Sequence, residues 1–399
     1  MNNKIDFVTI YTNLILLIIA FVPFYGILYY INPIILLTLI GLKFRRPLNI
    51  PKINIFLSIS ILFSFIFNIL NNPEAIHFQS ASRALMIFLC LFFFPLSKSV
   101  KIFNLTIYLA LIYIFLSQSC YMLGVKSIIY YFDNLYPYDG NIIAYTTSYL
   151  ETHPYIYLEG GRIGGLFHNP NHCARAYTLF LALLFVENKE PFKNKTLLVV
   201  LFFSMWGILM AGSRTGFVIL LIMLYLKFIM KSNFKNKSVF LYILLFLFFF
   251  YLVVLVLEDS NYRTSDLSGA INVSFSEKIR VLSEYMTQLT APGVLLFGNF
   301  DIALCVNYIT GLSTLDSEWG FAIFTFGIVF TFLLVCFYVF WIRKLKSQYY
   351  IIAVPFLWAL SSTILFTYRE SLLFILLLSI YISRSNLLLA FTRPNKLTI

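Results

Sequence analysis

Charge is scarce in this chain. Asp, Glu, Lys and Arg make up 12% of its 399 residues, about half of the roughly 25% that an ordinary soluble domain carries. So small a supply cannot cover a water-facing exterior, which excludes an ordinary cytosolic enzyme. Histidine is scarcer still, with four residues (His77, His153, His168 and His172). The five cysteines (Cys90, Cys120, Cys173, Cys305 and Cys336) form no C-x-x-C pair. An odd number so scattered argues against a zinc site or a disulfide framework. Most are expected to be small apolar fillers, the alternative being a bridge from Cys173 to Cys120 or Cys305. No internal repeat is visible, which counts against a transporter built from two equivalent halves.

Apolar residues are abundant instead, at 60% of the chain, with 44 Phe and 27 Tyr. A bilayer-spanning helix needs roughly 20 mostly apolar residues. Twelve runs qualify, centred near residues 16, 33, 62, 89, 112, 180, 203, 222, 248, 330, 357 and 377. The expected fold is therefore an all-α polytopic membrane protein, one integral domain over residues 1–399. The first run follows Lys4 and Asp6 without a small-residue cleavage site, so it is expected to be a retained span.

The formal charge of +12 would suggest a nucleic-acid partner in a soluble protein; sorted by side of the membrane, it does not. With the N-terminus inside and the spans alternating, 20 of the 29 basic residues and only three acidic ones fall in short inner loops. That asymmetry is the positive-inside rule, and it places both termini in the cytoplasm. The outer side carries nine basic and 14 acidic residues, in short connections and two long loops, roughly 122–170 and 258–316. Seven of those nine are Arg, whereas Lys dominates inside. Arginine is the better bidentate partner for phosphate and carboxylate, so chemistry is expected on the outer face.

Four outer segments stand out. The first long loop ends in YLEGGRIGGLFHNPNHCARAY, where four Gly surround Arg162 and Asn169–Pro170 has the form of an N-cap and first helical residue. A helix N-terminus there offers free N–H groups to an anion, with Arg162 and Arg175 beside it. The plain alternative is a Gly-rich turn with surface arginines. The second segment, AGSRTGFVI, sits between two apolar spans and holds Arg214 near the bilayer; an ionisable group at that depth usually faces a cavity or partner, unless it snorkels to the interface.

In the third, Ser274 and Glu277 have capping-box spacing ahead of Ile279, Leu282, Tyr285, Met286 and Leu289 at helical intervals, stopped by Ala291–Pro292–Gly293. This predicts an amphipathic helix lying on the outer surface, with Arg280 off its apolar stripe. The fourth, TLDSEWGFAIFTFG, enters the tenth span with Asp316 and Glu318, either as base or as plain cap. Arg369 and Glu370 form a further pair in TYRES, for which structural pairing is the simpler reading. Together these put Arg162, Arg214, Arg263, Arg280 and Arg369 on one face, a set suited to a pyrophosphate head group.

On these residues the chain resembles the O-antigen polymerase and ligase superfamily, and within it the Wzy-type polysaccharide polymerases. The resemblance rests on RIGGLFHNPNHCA before a span, SRTG heading a span, Arg263 and Arg280 ahead of LLFGN, and DSEWGFAIFTFG. It covers roughly residues 157–330 and the multispan layout. It implies a membrane glycosyltransferase of GT-C type in the bacterial inner membrane, with a periplasmic active site. The donor would be a glycan on undecaprenyl pyrophosphate, transferred to another lipid-linked repeat unit, with a polysaccharide chain-length regulator as partner. Ligases of this superfamily carry a His–Asn element where this chain has Asp316–Ser317, which favours a polymerase.

Arg214 and Arg280 are expected to bind the pyrophosphate, with Arg162 and Arg263 assisting. Fixed arginines would stabilise the charge that builds on the leaving group. Asp316 is the first candidate for the base that deprotonates the acceptor hydroxyl, followed by Glu318 and His168. No Asp-x-Asp occurs, so no metal clamp is indicated, and no cofactor is expected. The alternatives are a ligase that transfers the glycan to lipid A core and, in another class, a lipid-linked oligosaccharide flippase. A flippase should place charge along a path within the spans, and these spans are nearly clean.

Overall fold

The computed structural model describes residues 7–21, 34, 37–38, 50–71, 73, 78–92, 103–125, 127, 163–165, 170–187, 195–225, 292–300, 318–345, 354 and 356–358. Among them every regular element is helical: α1 (Phe7–Phe21), α2 (Lys52–Asn71), α3 (Phe78–Phe92), α4 (Asn104–Met122), α5 (Pro170–Glu187), α6 (Lys195–Met210), α7 (Arg214–Leu224), the short α8 (Pro292–Phe297) and α9 (Glu318–Leu345). The expected spans near 16, 62, 89, 112, 180, 203, 222 and 330 fall on these helices. Those near 248 and 377, and the surface helix over 274–289, lie outside the described residues, and of those near 33 and 357 only residues 34, 37–38, 354 and 356–358 are described. Among the described residues three stretches are, by length and composition, long and apolar enough to cross a membrane: Lys52–Asn71, Asn104–Met122 and Ala322–Trp341.

Helix α2 shows which solvent this fold expects. Its buried face carries Asn54, Ser58, Ser64 and Asn68 beside Leu57 and Ile61. Its exposed face carries Phe56, Ile59, Leu62, Phe63, Ile66, Ile69 and Leu70. In water the two faces would be exchanged. In lipid the tails are as apolar as leucine, so packing is driven by small and polar residues turned inward.

The inward amides join neighbouring segments. Asn54 Nδ2 donates to Leu91 O at 2.8 Å, satisfying a carbonyl in the last turn of α3. The Phe103 amide, at the N-cap of α4, donates to Asn13 Oδ1 of α1 at 2.9 Å. Cys120 and Cys173, paired in one of the sequence alternatives, are free thiols, and Cys173 is buried.

Helix α9 is not straight. Trp319 and Tyr338 are 19 positions apart, so a straight helix would separate them by roughly 28 Å at 1.5 Å per residue. Their ring centroids lie 5.8 Å apart. The chain folds back at Gly327, whose φ of 84° and ψ of 175° are non-helical. The limb after the break, Ile328–Leu345, measures roughly 27 Å, close to the ~30 Å hydrocarbon core. The limb before it, Glu318–Phe326, packs beside it as a short folded-back arm.

Broken backbone inside a membrane domain needs partners supplied by protein. Here α8 and α2 supply them. The Asn299 amide donates to Phe324 O at 2.7 Å. Ser64 Oγ of α2 donates to Phe297 O. Asn68 Nδ2 donates to Gly298 O at 3.4 Å, and its Oδ1 accepts from the Phe300 amide at 2.9 Å. Phe67–Phe297 and Phe65–Phe300 ring contacts close the joint.

Asn68→Leu should therefore lower the thermal midpoint of the detergent-solubilised protein, because a buried Phe300 N–H left unpaired costs about 1–3 kcal/mol. Asn71→Leu, on the same helix, loses only an exposed bond to Phe67 O one turn back and should leave the midpoint nearly unchanged. Equal midpoints for the two variants would remove Asn68 as the pin.

Candidate functional site

The site is built around the turn between α6 and α7. Helix α6 ends at Met210, and the chain turns through Gly212 at φ +54°, a left-handed conformation that glycine adopts without strain. Ser213 then caps α7: its backbone is extended and its Oγ accepts from the Gly216 amide at 3.3 Å. Arg214 is the first helical residue of α7. SRTG is thus a capped helix start.

Two other motif segments meet this turn. Helix α5 begins at Pro170, as Asn169–Pro170 leads one to expect. Asn171 in its first turn accepts from Ser213 Oγ at 3.1 Å. A Cβ on Gly216 would sit 2.7 Å from Ala174 Cβ, so α5 and α7 touch because that position is glycine. The second segment is the buried stretch Ile163–Gly165. The Ile163 amide donates to Met210 O at 2.8 Å. Arg162 is one peptide bond from that contact, and Arg214 is four residues beyond it. Ile163–Gly165 and the head of α5, close to each other in sequence, thus both meet the S-R-T-G turn, whose Ser213 lies 42 positions beyond Asn171.

A buried polar network underlies the turn. Gln118 of α4 donates through Nε2 to Ile163 O at 2.8 Å and to Gly207 O at 3.0 Å. Its Oε1 accepts from Tyr177 OH of α5 at 2.7 Å. Sequence reasoning missed both residues. The available signal was a carboxamide inside an apolar run, LSQSCYM, since polar side chains in spans usually have an assigned partner.

Arg175 is not the surface arginine of the plain alternative. It lies in the second turn of α5 at 1% exposure, and its Nε donates to Asn171 O at 3.4 Å. Its guanidinium is part of the packed interior at the head of α5.

Of the two acidic candidates, Glu318 is the first residue of α9. A carboxylate in a first helical turn is stabilised by the helix dipole, so its presence there has a structural reason independent of catalysis. Next to it Trp319 packs against Phe356, with ring centroids 5.6 Å apart. Two residues on, Trp358 Nε1 donates to Thr178 Oγ1 of α5 at 2.9 Å. Residues 356–358 therefore tie the folded-back arm of α9 to the helix that carries Asn171 and Arg175. His168, Asp316, Arg162, Arg263, Arg280 and Arg369 lie outside the described residues. Among the described residues no three His, Cys, Asp or Glu side chains come together in a form that could hold a metal ion. In comparisons with known proteins, no family model matches the chain and no curated protein matches it.

Proposed function

We propose that this chain is a membrane-embedded glycosyltransferase, a Wzy-type polymerase that joins glycan repeat units carried on undecaprenyl pyrophosphate. The observation that carries the reading is the docking of the R-I-G-G segment on the S-R-T-G turn, through Ile163 N–H and Met210 O at 2.8 Å. The residue after Arg162 is thereby held on the turn that leads into Arg214. Arg214 opens α7, where a cation opposes the helix dipole and an anion is favoured. A basic residue in that position has little structural use and a direct chemical one: it meets a phosphate together with the free N–H groups of the first turn.

In the proposed reaction the acceptor hydroxyl oxygen forms a bond to the anomeric carbon of the donor glycan. The bond from that carbon to the pyrophosphate oxygen breaks, and the electron pair leaves with the lipid pyrophosphate. Arg214 and Arg280, assisted by Arg162, Arg263 and Arg369, stabilise that charge. The hydroxyl proton passes to a base, Asp316 first, then Glu318 or His168. The finer architecture belongs to the same proposal: about twelve spans in the inner membrane, cytoplasmic termini, a periplasmic site and a chain-length regulator as partner. Asp316–Ser317, where a ligase would carry His–Asn, supports polymerisation over ligation.

Deletion of the gene, followed by analysis of the surface glycan, tests this. Acceptors that bear a single repeat unit are the expected result. Acceptors with no glycan, while polymer accumulates on the carrier lipid, would replace the reading with a ligase. Units trapped on the cytoplasmic side would replace it with a flippase. Where the glycan is a capsule or exopolysaccharide, the same comparison is made on that polymer.

A further inference from the structure

We propose that Gln118, braced by Tyr177, is a positioning residue that holds the Arg162 segment against the Arg214 turn. The proposal deepens the reading above and rests on it for its catalytic consequence. A carboxamide has two N–H donors and one acceptor oxygen. Both donors and the oxygen of Gln118 are engaged, each on a different part of the chain: Ile163 O of the loop, Gly207 O of α6 and Tyr177 OH of α5. The side chain itself comes from α4. One buried residue therefore references four segments at once.

The two carbonyls are not equivalent. Gly207 O also accepts the Ala211 amide at 2.9 Å, so its bond from Gln118 is a supplement. Ile163 lies outside any helix, so its carbonyl has no intrahelical donor. Its bond from Gln118 and the bond from its own amide to Met210 O fix the residue after Arg162 from both sides.

The surrounding glycines serve the same contact. A Cβ on Gly207 would overlap the Tyr177 ring, so α5 and α6 approach closely enough for the phenol to reach Gln118. Gly165, at φ +55°, lies against the backbone of Gln118, where a Cβ would come within 2.9 Å of its amide nitrogen. Space filling alone would be served by leucine; the carboxamide is there for the carbonyls.

The test combines proximity with polymer yield. Ile163→Cys and Ala211→Cys are placed in the full chain with the five native cysteines replaced, and a short thiol crosslinker joins them in membranes. Gln118→Leu should cut crosslinking several-fold and lower polymer yield by on the order of tenfold to a hundredfold, the cost of slight misplacement, at unchanged protein level. Tyr177→Phe removes a single hydroxyl and should act in the same direction with a smaller effect; it carries the test if Gln118→Leu does not accumulate. Crosslinking the pair in the Gln118→Leu background should restore polymer, a rescue that a role in folding would not give.

Equal crosslinking with and without the carboxamide overturns the proposal. So does undiminished polymer in both variants when Arg214→Ala has lost it. A deletion strain that keeps its polymer would instead sink the polymerase reading, and the crosslinking arm would still decide what Gln118 holds.

Discussion

Arg214→Ala and Arg280→Ala should each leave normal amounts of protein in the membrane and eliminate long glycan chains. Loss of one fixed donor to developing oxyanion charge typically costs about 10²–10³ in rate, and in the proposed polymerase that loss would recur at every added unit. For Arg214 the usual objection, that the variant merely unfolds, has a physical answer. The residue opens α7 behind an intact Ser213 cap. Alanine is the better helix former, and removing a cation from a helix N-terminus relieves an unfavourable interaction with the dipole. The substitution should therefore leave α7 as stable as before, or more so, while activity falls. Arg214→Lys keeps the charge without the planar fork, so it should fall between wild type and Arg214→Ala in chain-length ladders. Normal ladders from both alanine variants would remove the pyrophosphate clamp.

The parts that were legible in the sequence are those governed by local chemistry. Asn169–Pro170 announces the start of α5, and SRTG between two apolar runs announces a short turn with a helix behind it; the helices begin at Pro170 and Arg214. Apolar runs of sufficient length mark the positions of most described helices. What was not legible depends on which helices become neighbours. Gln118 is one amide in an apolar run, and nothing in its local sequence names Ile163, 45 positions away. Arg175 counts as one outer arginine among seven until its burial at 1% exposure sets it apart. The apolar run around Gly327 satisfies every criterion of length and hydropathy for a single crossing. Its reversal follows from α8 seating against that glycine, a contact between segments some 30 positions apart that no periodicity encodes.

Gly327→Ala should be strongly damaging, and the sign of its effect tests the fold-back. At φ 84° and ψ 175° the residue occupies a region that is essentially confined to glycine, where another residue costs of order 1–3 kcal/mol. A Cβ there would also overlap the carbonyl of Leu296, a backbone atom that cannot rotate away. Overpacking of this kind adds about 1–3 kcal/mol, so the total is roughly 2–6 kcal/mol. The joint that relaxes is the one that sets the arm carrying Glu318 and Trp319 beside the rest of α9. The expected result is a large drop in the thermal midpoint of the solubilised protein, or loss of its monodisperse form, together with loss of polymer. Gly124→Ala separates strain from collision. Gly124 has a φ of +64°, and an added Cβ would meet nothing within 4 Å, so it should cost only the left-handed strain of about 1–2 kcal/mol. If α9 were instead one straight crossing, Gly327 would be a mid-helix glycine, and alanine would stabilise it by about 1 kcal/mol. A midpoint that rises in Gly327→Ala would therefore replace the folded-back arm with a continuous helix, and the contacts of Ser64 and Asn68 with it.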